Sequence, residues 1–148
     1  MIKEKTILPV GAIAPDIALP NSKDEVTRLS EVGKRLVIID FWASWCGPCI
    51  QESKNFIQPL YKEWKDKGLE IYAVSIDKDK NAWQGAMNKH GYGSWINVVD
   101  YTAGNVVKPL YDFSGIPTIY LVDGNMNIVA KNLRGPVLTE FVEQYLGR

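Results

Sequence analysis

The sequence has few residues that hold metal ions and no excess of either charge. Among its 148 residues are two cysteines, Cys46 and Cys49, and one histidine, His90. A structural zinc site needs about four ligands, usually Cys or His. Carboxylates would have to complete such a site here, so we predict no metal. Lys plus Arg number 17, as do Asp plus Glu, and this balance gives no electrostatic reason to expect a nucleic acid as partner.

The sequence also has no apolar run close to the roughly 18–20 residues that span a membrane as a helix. Its start, MIKEKTILPVGAIAP, has neither the apolar core nor the small-residue cleavage site of a secretory signal peptide. We therefore expect a protein that is either cytoplasmic or shown without an export signal. Both compartments stay open at this point.

Length and composition favour one soluble domain covering residues 1–148. Single domains commonly have roughly 100–200 residues, and a hydrophobic fraction of 46% is ordinary for a globular protein. A chain of this size buries about two-thirds of its unfolded surface. It therefore does not need a disulfide to hold its fold together.

The two cysteines stand between two apolar segments. RLVIIDFWA has the length and the β-branched content of a strand buried on both faces, and Asp40 is the one charged residue that interrupts its apolar run. From Cys46 onward the apolar residues recur at helical spacing as far as Gly68, with Pro59 expected to kink the helix. LEIYAVSID then reads as a second buried strand. The pattern predicts a βαβ unit with the cysteines at its first corner.

Hairpins and further helices are predicted on either side of this unit. DIAL and EVTRL favour an N-terminal hairpin, and PTIYLVD and NIVAKNL favour a second hairpin across GNMN. Helical patterns cover KNAWQGAMNKH and PVLTEFVEQYL, and GYGSWINVV ends in a short extended piece. The elements alternate as in an α/β protein.

The spacing of the cysteines favours redox chemistry. Covalent haem attachment needs His directly after the second cysteine, and Ile50 stands there. A structural disulfide across two residues closes a very small loop, which loop-closure models credit with little stabilisation. At a helix N-terminus, by contrast, unpaired N–H groups and the helix dipole favour a thiolate on Cys46. Pro48 stiffens the first helical turn, and Gly47 leaves room for another backbone to approach.

Two segments resemble the thioredoxin superfamily. VIIDFWASWCGPC is similar to the signature of that superfamily, and SGIPTIYLVD is similar to the segment that carries its cis-proline, here Pro117. The resemblance implies a thioredoxin-like fold, with a central mixed β-sheet flanked by helices. It also implies that Ile116, the residue before the proline, pairs with the substrate backbone.

The remaining features resemble the TlpA/ResA-like branch of thiol-disulfide oxidoreductases. One is the opening VGAIAPDIALP, and the other is the interval of 68 positions from Cys49 to Pro117. The branch implies an N-terminal extension over residues 1–35, including the first hairpin. It also implies an inserted helix and strand in a connecting segment over about residues 78–112. Since its members are usually exported, we expect an extracytoplasmic location such as the periplasm, with the cytoplasm as the alternative.

The resemblance implies a disulfide reductase that needs no cofactor. Cys46 attacks a disulfide in a client protein, Cys49 resolves the mixed disulfide, and Asp40 accepts a proton. Trp45, Gly47 and Pro48 border the substrate groove. An upstream thiol donor, which the resemblance implies is a membrane thiol carrier, would return the pair to the dithiol form.

Two other functions stay open. The G-x-x-A-P-D opening also occurs in peroxiredoxins, which need Pro and Thr seven and three residues before the reactive cysteine. Those positions hold Ile39 and Ala43, so a peroxidase is disfavoured. A non-catalytic module that binds client proteins is the second alternative, and it would keep its activity without either cysteine.

Overall fold

The computed structural model of the protein describes residues 8–102 and 105–147. In chain order it has β1 (Ala18–Pro20), β2 (Val26–Arg28), β3 (Leu36–Trp42), α1 (Gly47–Glu52), α2 (Gln58–Trp64), β4 (Leu69–Ser75), α3 (Lys80–His90), β5 (Ile96–Val99), α4 (Val107–Leu110), β6 (Thr118–Asp123), β7 (Ile128–Lys131) and α5 (Pro136–Leu146). In these residues we find no helix both long enough and apolar enough to cross a membrane.

Five strands form one mixed sheet with β3 at its centre. The order is β5-β4-β3-β6-β7, and β3 pairs parallel with β4 and antiparallel with β6. All seven residues of β3 are buried, which explains why its sequence is apolar without alternation. The α/β architecture, with a central mixed sheet flanked by helices, is as predicted.

The N-terminal hairpin forms a separate two-stranded sheet. Its strands are antiparallel, with Ala18 opposite Arg28. The hydroxyl of Tyr72, from β4, donates a hydrogen bond of 2.7 Å to the carbonyl of Thr27. This bond ties the hairpin to the main sheet.

The helix after the cysteines contains a π-helical turn, Ser53–Ile57, between α1 and α2. The sequence predicts a disturbance at Pro59 itself, which is the second residue of α2. A proline has no N–H for the carbonyl four residues earlier. The change from α-helical to π-helical hydrogen bonding therefore lies just before the proline, at Ser53–Ile57. Gly68 ends the segment with φ of +109°, a left-handed conformation that glycine adopts readily.

The segment between β4 and β6 contains α3, β5 and α4. A helix and a strand were predicted there, and β5 adds to the sheet edge beside β4. Residues 103–104 of the predicted 78–112 segment, and residues 1–7 of the predicted N-terminal extension, lie outside the described residues.

Candidate active site

The cysteines follow the C-terminal end of the central strand. After β3 the chain turns back, and the N–H of Cys46 donates to the carbonyl of Ala43 at 3.1 Å. Cys46 is the N-cap of α1, and Pro48 occupies the first helical turn. The strand, the turn and the helix together place the pair at the edge where β3 and β4 both end.

Cys46 and Cys49 form a disulfide, with their Cα atoms 5.3 Å apart. The backbone N–H of Cys49 points at the sulfur of Cys46, with a nitrogen–sulfur distance of 3.2 Å. Cys46 is 5% exposed and Cys49 is 2% exposed. In the dithiol form the same N–H would stabilise a thiolate on Cys46.

Ile116 and Pro117 lie beside this disulfide. Their peptide bond is cis, and Pro117 directly precedes β6, whose Thr118 pairs with Phe41 near the end of β3. The carbonyl oxygen of Ile116 is 3.9 Å from the sulfur of Cys46. The antiparallel register of β3 and β6 thus joins two motifs that are 70 positions apart in sequence.

The surface around the disulfide is open. Gly47 and Pro48 are exposed, and a Cβ atom built on Gly47 would have no heavy atom within 4 Å. Trp45 is 70% exposed, whereas the other four tryptophans are buried. These three residues therefore form an accessible border next to Cys46.

Asp40 lies in β3, six residues before Cys46, and is 2% exposed. Its partners in the sheet are Ala73 and Ile119, so the neighbouring strand positions are apolar. Burial raises the pKa of its carboxyl to about 7, and the negative charge of Glu52 contributes to the rise. A buried carboxyl with a pKa near neutrality is suited to proton exchange.

Glu52 was not identified from the sequence. It is the last residue of α1, three positions after Cys49, and it is buried. Its Oε2 accepts a 2.7 Å hydrogen bond from the N–H of Gly135, and its Oε1 is 4.0 Å from Nε of Arg134. The available signal was its spacing, since residues three apart share a helix face and Cys49 faces inward.

Asp77 is a second buried carboxylate that sequence reasoning missed. It follows β4 and is 2% exposed. Its oxygens accept hydrogen bonds from the backbone N–H of Ser44 at 3.0 Å and from the hydroxyl of Ser44 at 2.6 Å. The hydroxyl of Ser75 donates a third bond at 2.5 Å. Asp77 thereby contacts the turn that leads to Cys46.

Comparison with known proteins matches residues 10–131 to the AhpC/TSA family. Thiol-disulfide oxidoreductase ResA of Oceanobacillus iheyensis is 32% identical over 99% of this chain and 76% of its own. The ResA of Geobacillus kaustophilus is also 32% identical, over 97% of this chain and 79% of its own.

Solved structures agree with these sequence matches. The thioredoxin domain of a thiol-disulfide oxidoreductase from Bacteroides vulgatus is 33% identical, with a TM-score of 0.86 over 94% of this chain and 99% of that one. A thiol:disulfide interchange protein from Bacteroides sp. is 32% identical, with a TM-score of 0.83 over 95% of this chain and 92% of that one. With the disulfide at the helix N-terminus, these matches establish that the chain belongs to the AhpC/TSA family and is a thioredoxin-like thiol-disulfide oxidoreductase related to ResA.

Proposed function

We propose that this oxidoreductase reduces disulfides in client proteins, with Cys46 as the attacking thiol and Cys49 as the resolving thiol. The observation that carries the assignment is the position of the two sulfurs on the helix. Cys46 caps the helix and receives the N–H of Cys49, so its thiolate is the stabilised one. Cys49 is the less exposed of the two, at 2% against 5% for Cys46, and we assign it the attack on the mixed disulfide.

The reaction consists of two thiol–disulfide exchanges. The Cys46 thiolate attacks one sulfur of the client disulfide, the client S–S bond breaks, and one client thiolate leaves and takes up a proton. The Cys49 thiolate then attacks the Cys46 sulfur and expels the second client thiolate. The client gains two electrons and two protons, and the protein ends as the Cys46–Cys49 disulfide.

Asp40 is the proton acceptor for Cys49 in the second exchange. Because its pKa is about 7, a large fraction of Asp40 is ionised near neutral pH and able to take the proton of the thiol. Glu52 contributes to this value through its charge, and it is anchored by the N–H of Gly135 and by the guanidinium of Arg134.

The client lies across the open border of the site as an extended segment. Its backbone pairs with Ile116 next to Pro117, and it passes over Gly47 and Pro48 and beside Trp45. The support is geometric, since the carbonyl of Ile116 lies against Cys46 and the space above Gly47 is empty. Backbone pairing of this kind accepts many sequences, as a general disulfide reductase requires.

The electron supply and the compartment follow from the same proposal. A reductase needs an upstream thiol donor to return the disulfide to the dithiol form, and we propose a membrane thiol carrier in this role. We further propose an extracytoplasmic location, where stable client disulfides form.

The reduction potential of the Cys46–Cys49 couple, measured by equilibration with thiol–disulfide buffers, tests the direction of the reaction. We expect a value near that of thioredoxin, about −270 mV. A value near −120 mV, as in strong oxidants, would reverse the direction. Cys49→Ala should accumulate client mixed disulfides on Cys46, seen on non-reducing gels, and accumulation on Cys46→Ala instead would reverse the order of attack.

A further inference from the structure

The β-turn before Cys46 leaves one backbone N–H, that of Ser44, without a hydrogen-bond partner inside the turn. In the β-turn that runs from Ala43 to Cys46, Ser44 and Trp45 are the two central residues. The N–H of the first central residue has no partner within a β-turn. A partly buried N–H such as that of Ser44 needs one from elsewhere.

Asp77 supplies that partner and more. Its carboxylate accepts both the N–H and the hydroxyl of Ser44, so the residue is held at two points. The carboxylate is itself anchored to β4, because the hydroxyl of Ser75 donates to it and accepts from the N–H of Asp77 at 2.9 Å. The turn is thus attached by side chain to the strand beside it.

Simple closure of the turn does not account for this arrangement. The bond from Cys46 to Ala43 closes the turn, and the N–H of Ile76 extends the β3–β4 pairing by donating to the carbonyl of Trp42 at 2.9 Å. Burying a carboxylate is costly unless its hydrogen bonds compensate. The bonds that this carboxylate makes outside its own segment, Ser75–Asp77, are to Ser44, the residue before the exposed Trp45.

We propose that Asp77 is a positioning residue for client recognition: it fixes Ser44 so that Trp45 is held in one orientation at the rim of the site. The inference rests on the proposed docking of clients beside Trp45 and Cys46. A cleft of about 440 Å³ opens at this place, lined by Ser44, Trp45 and Asp77 together with Ala82 and Lys108. Trp45, held in one orientation, forms one wall of this cleft. The client residues next to the cysteine that Cys46 attacks would lie there.

The experiment compares Asp77→Ala, Asp77→Asn and Ser44→Ala with the wild type. Kinetics are measured with insulin, a protein disulfide, and with hydroxyethyl disulfide, which is too small to use the cleft. Acrylamide quenching of tryptophan fluorescence reports on Trp45, because the other four tryptophans are buried. Ser44→Ala removes a single donor and keeps the carboxylate, so it remains informative if Asp77→Ala folds poorly.

Asp123→Ala is the matched control. Asp123 ends β6 and accepts hydrogen bonds from the N–H groups of Asn125 and Asn127 in the following turn, both at 2.9 Å. Because β6 runs antiparallel to β3, this carboxylate lies at the opposite end of the sheet from the cysteines. We expect Asp123→Ala to lower thermal stability without changing the geometry around the cysteines.

We expect Asp77→Ala and Ser44→Ala to raise KM for insulin. The factor of increase should be about ten times larger than the factor for hydroxyethyl disulfide. Quenching of Trp45 should change in both variants. Asp77→Asn keeps one acceptor oxygen and should recover part of the loss, and Asp123→Ala should match the wild type in both assays. If the wild type reduces insulin but Ser44→Ala and Asp77→Ala keep its KM and its quenching, the inference about Asp77 is wrong. A wild type that does not reduce insulin would instead overturn the proposed function and this inference with it.

Discussion

The carboxyl groups of Asp40 and Glu52 interact inside the protein, and the negative charge of Glu52 adds to the burial that raises the pKa of Asp40 to about 7. They come from different elements, the central strand and the end of α1. A nearby negative charge disfavours the ionised form of a carboxyl, so Asp40 is partly protonated near neutral pH.

Asp40→Asn should slow the resolution of the mixed disulfide, because the thiol of Cys49 loses its proton acceptor. General bases contribute roughly 10²-fold or more, and we expect a decrease of at least tenfold at pH 7. Stopped-flow release of a thiol from a preformed mixed disulfide on Cys46 measures the step directly. A variant that resolves at the wild-type rate across pH 6–8 would show that Asp40 is not the acceptor.

Asp40 should also make the folded state less stable as the pH rises from about 4 to about 7. Its pKa is about 7 in the folded protein against an ordinary 3.8, so between these values the folded state binds more protons than the unfolded state. The free energy of unfolding then falls with pH. The full effect is on the order of 4 kcal/mol, at 1.36 kcal/mol per pKa unit.

Denaturant unfolding of the wild type and Asp40→Asn at several pH values tests this prediction. The variant should lose most of the decline between pH 4 and pH 7 and should be the more stable protein at pH 8. If the free energy of unfolding changes with pH by the same amount in both proteins, the pKa of Asp40 is not raised. The disulfide must be kept in one redox state throughout, because its reduction changes the reference state.

Glu52→Gln should lower the pKa of Asp40, since it removes the negative charge that helps to raise it. The pH midpoint of mixed-disulfide resolution should therefore move to lower pH, while the double variant with Asp40→Asn should show no such midpoint. Glu63→Gln is the matched control, because Glu63 is an exposed residue on α2. A midpoint that stays in place in Glu52→Gln would mean that burial alone sets the pKa.

Substitution by alanine at two glycines, Gly85 and Gly68, should change the free energy of unfolding in opposite directions. Gly85 lies inside α3 with no heavy atom within 4 Å of a built Cβ, so Gly85→Ala should raise the free energy of unfolding by about 0.5–1 kcal/mol. Gly68 has φ of +109°, and its Cβ would lie 2.9 Å from that of Arg35. Gly68→Ala should therefore lower stability, and a gain there would contradict the positive φ.

Local patterns were sufficient to predict most of the fold. The apolar run of β3, the helical spacing after Cys46 and the turn between β6 and β7 each depend on neighbouring residues. Asp40 also stood out, because a charge within an apolar strand is unusual. The two cysteines could also be identified from local sequence, because they stand with two residues between them at the start of a predicted helix.

Glu52 and Asp77 did not stand out, because their burial depends on distant segments. An acidic residue on a helix normally faces solvent, and Glu52 is covered because Gly135, 83 positions later, donates to it. Asp77 follows a strand, where a carboxylate commonly belongs to a solvent-exposed loop. Its partner Ser44 is 33 positions earlier, and only the parallel pairing of β3 and β4 brings them together.

The pairing of β3 with both β4 and β6 has a consequence for how this protein could change. The cysteines and the cis-proline are both positioned by β3. The cysteines follow the turn at the end of β3, and Pro117 directly precedes β6, which pairs antiparallel with β3. Residues 78–112 connect β4 to β6 and add β5 at the outer edge of the sheet, beside β4, so their length does not set the distance between the two motifs. Recombination or engineering could therefore exchange this segment as a cassette, altering which clients fit while the sulfur chemistry is inherited unchanged.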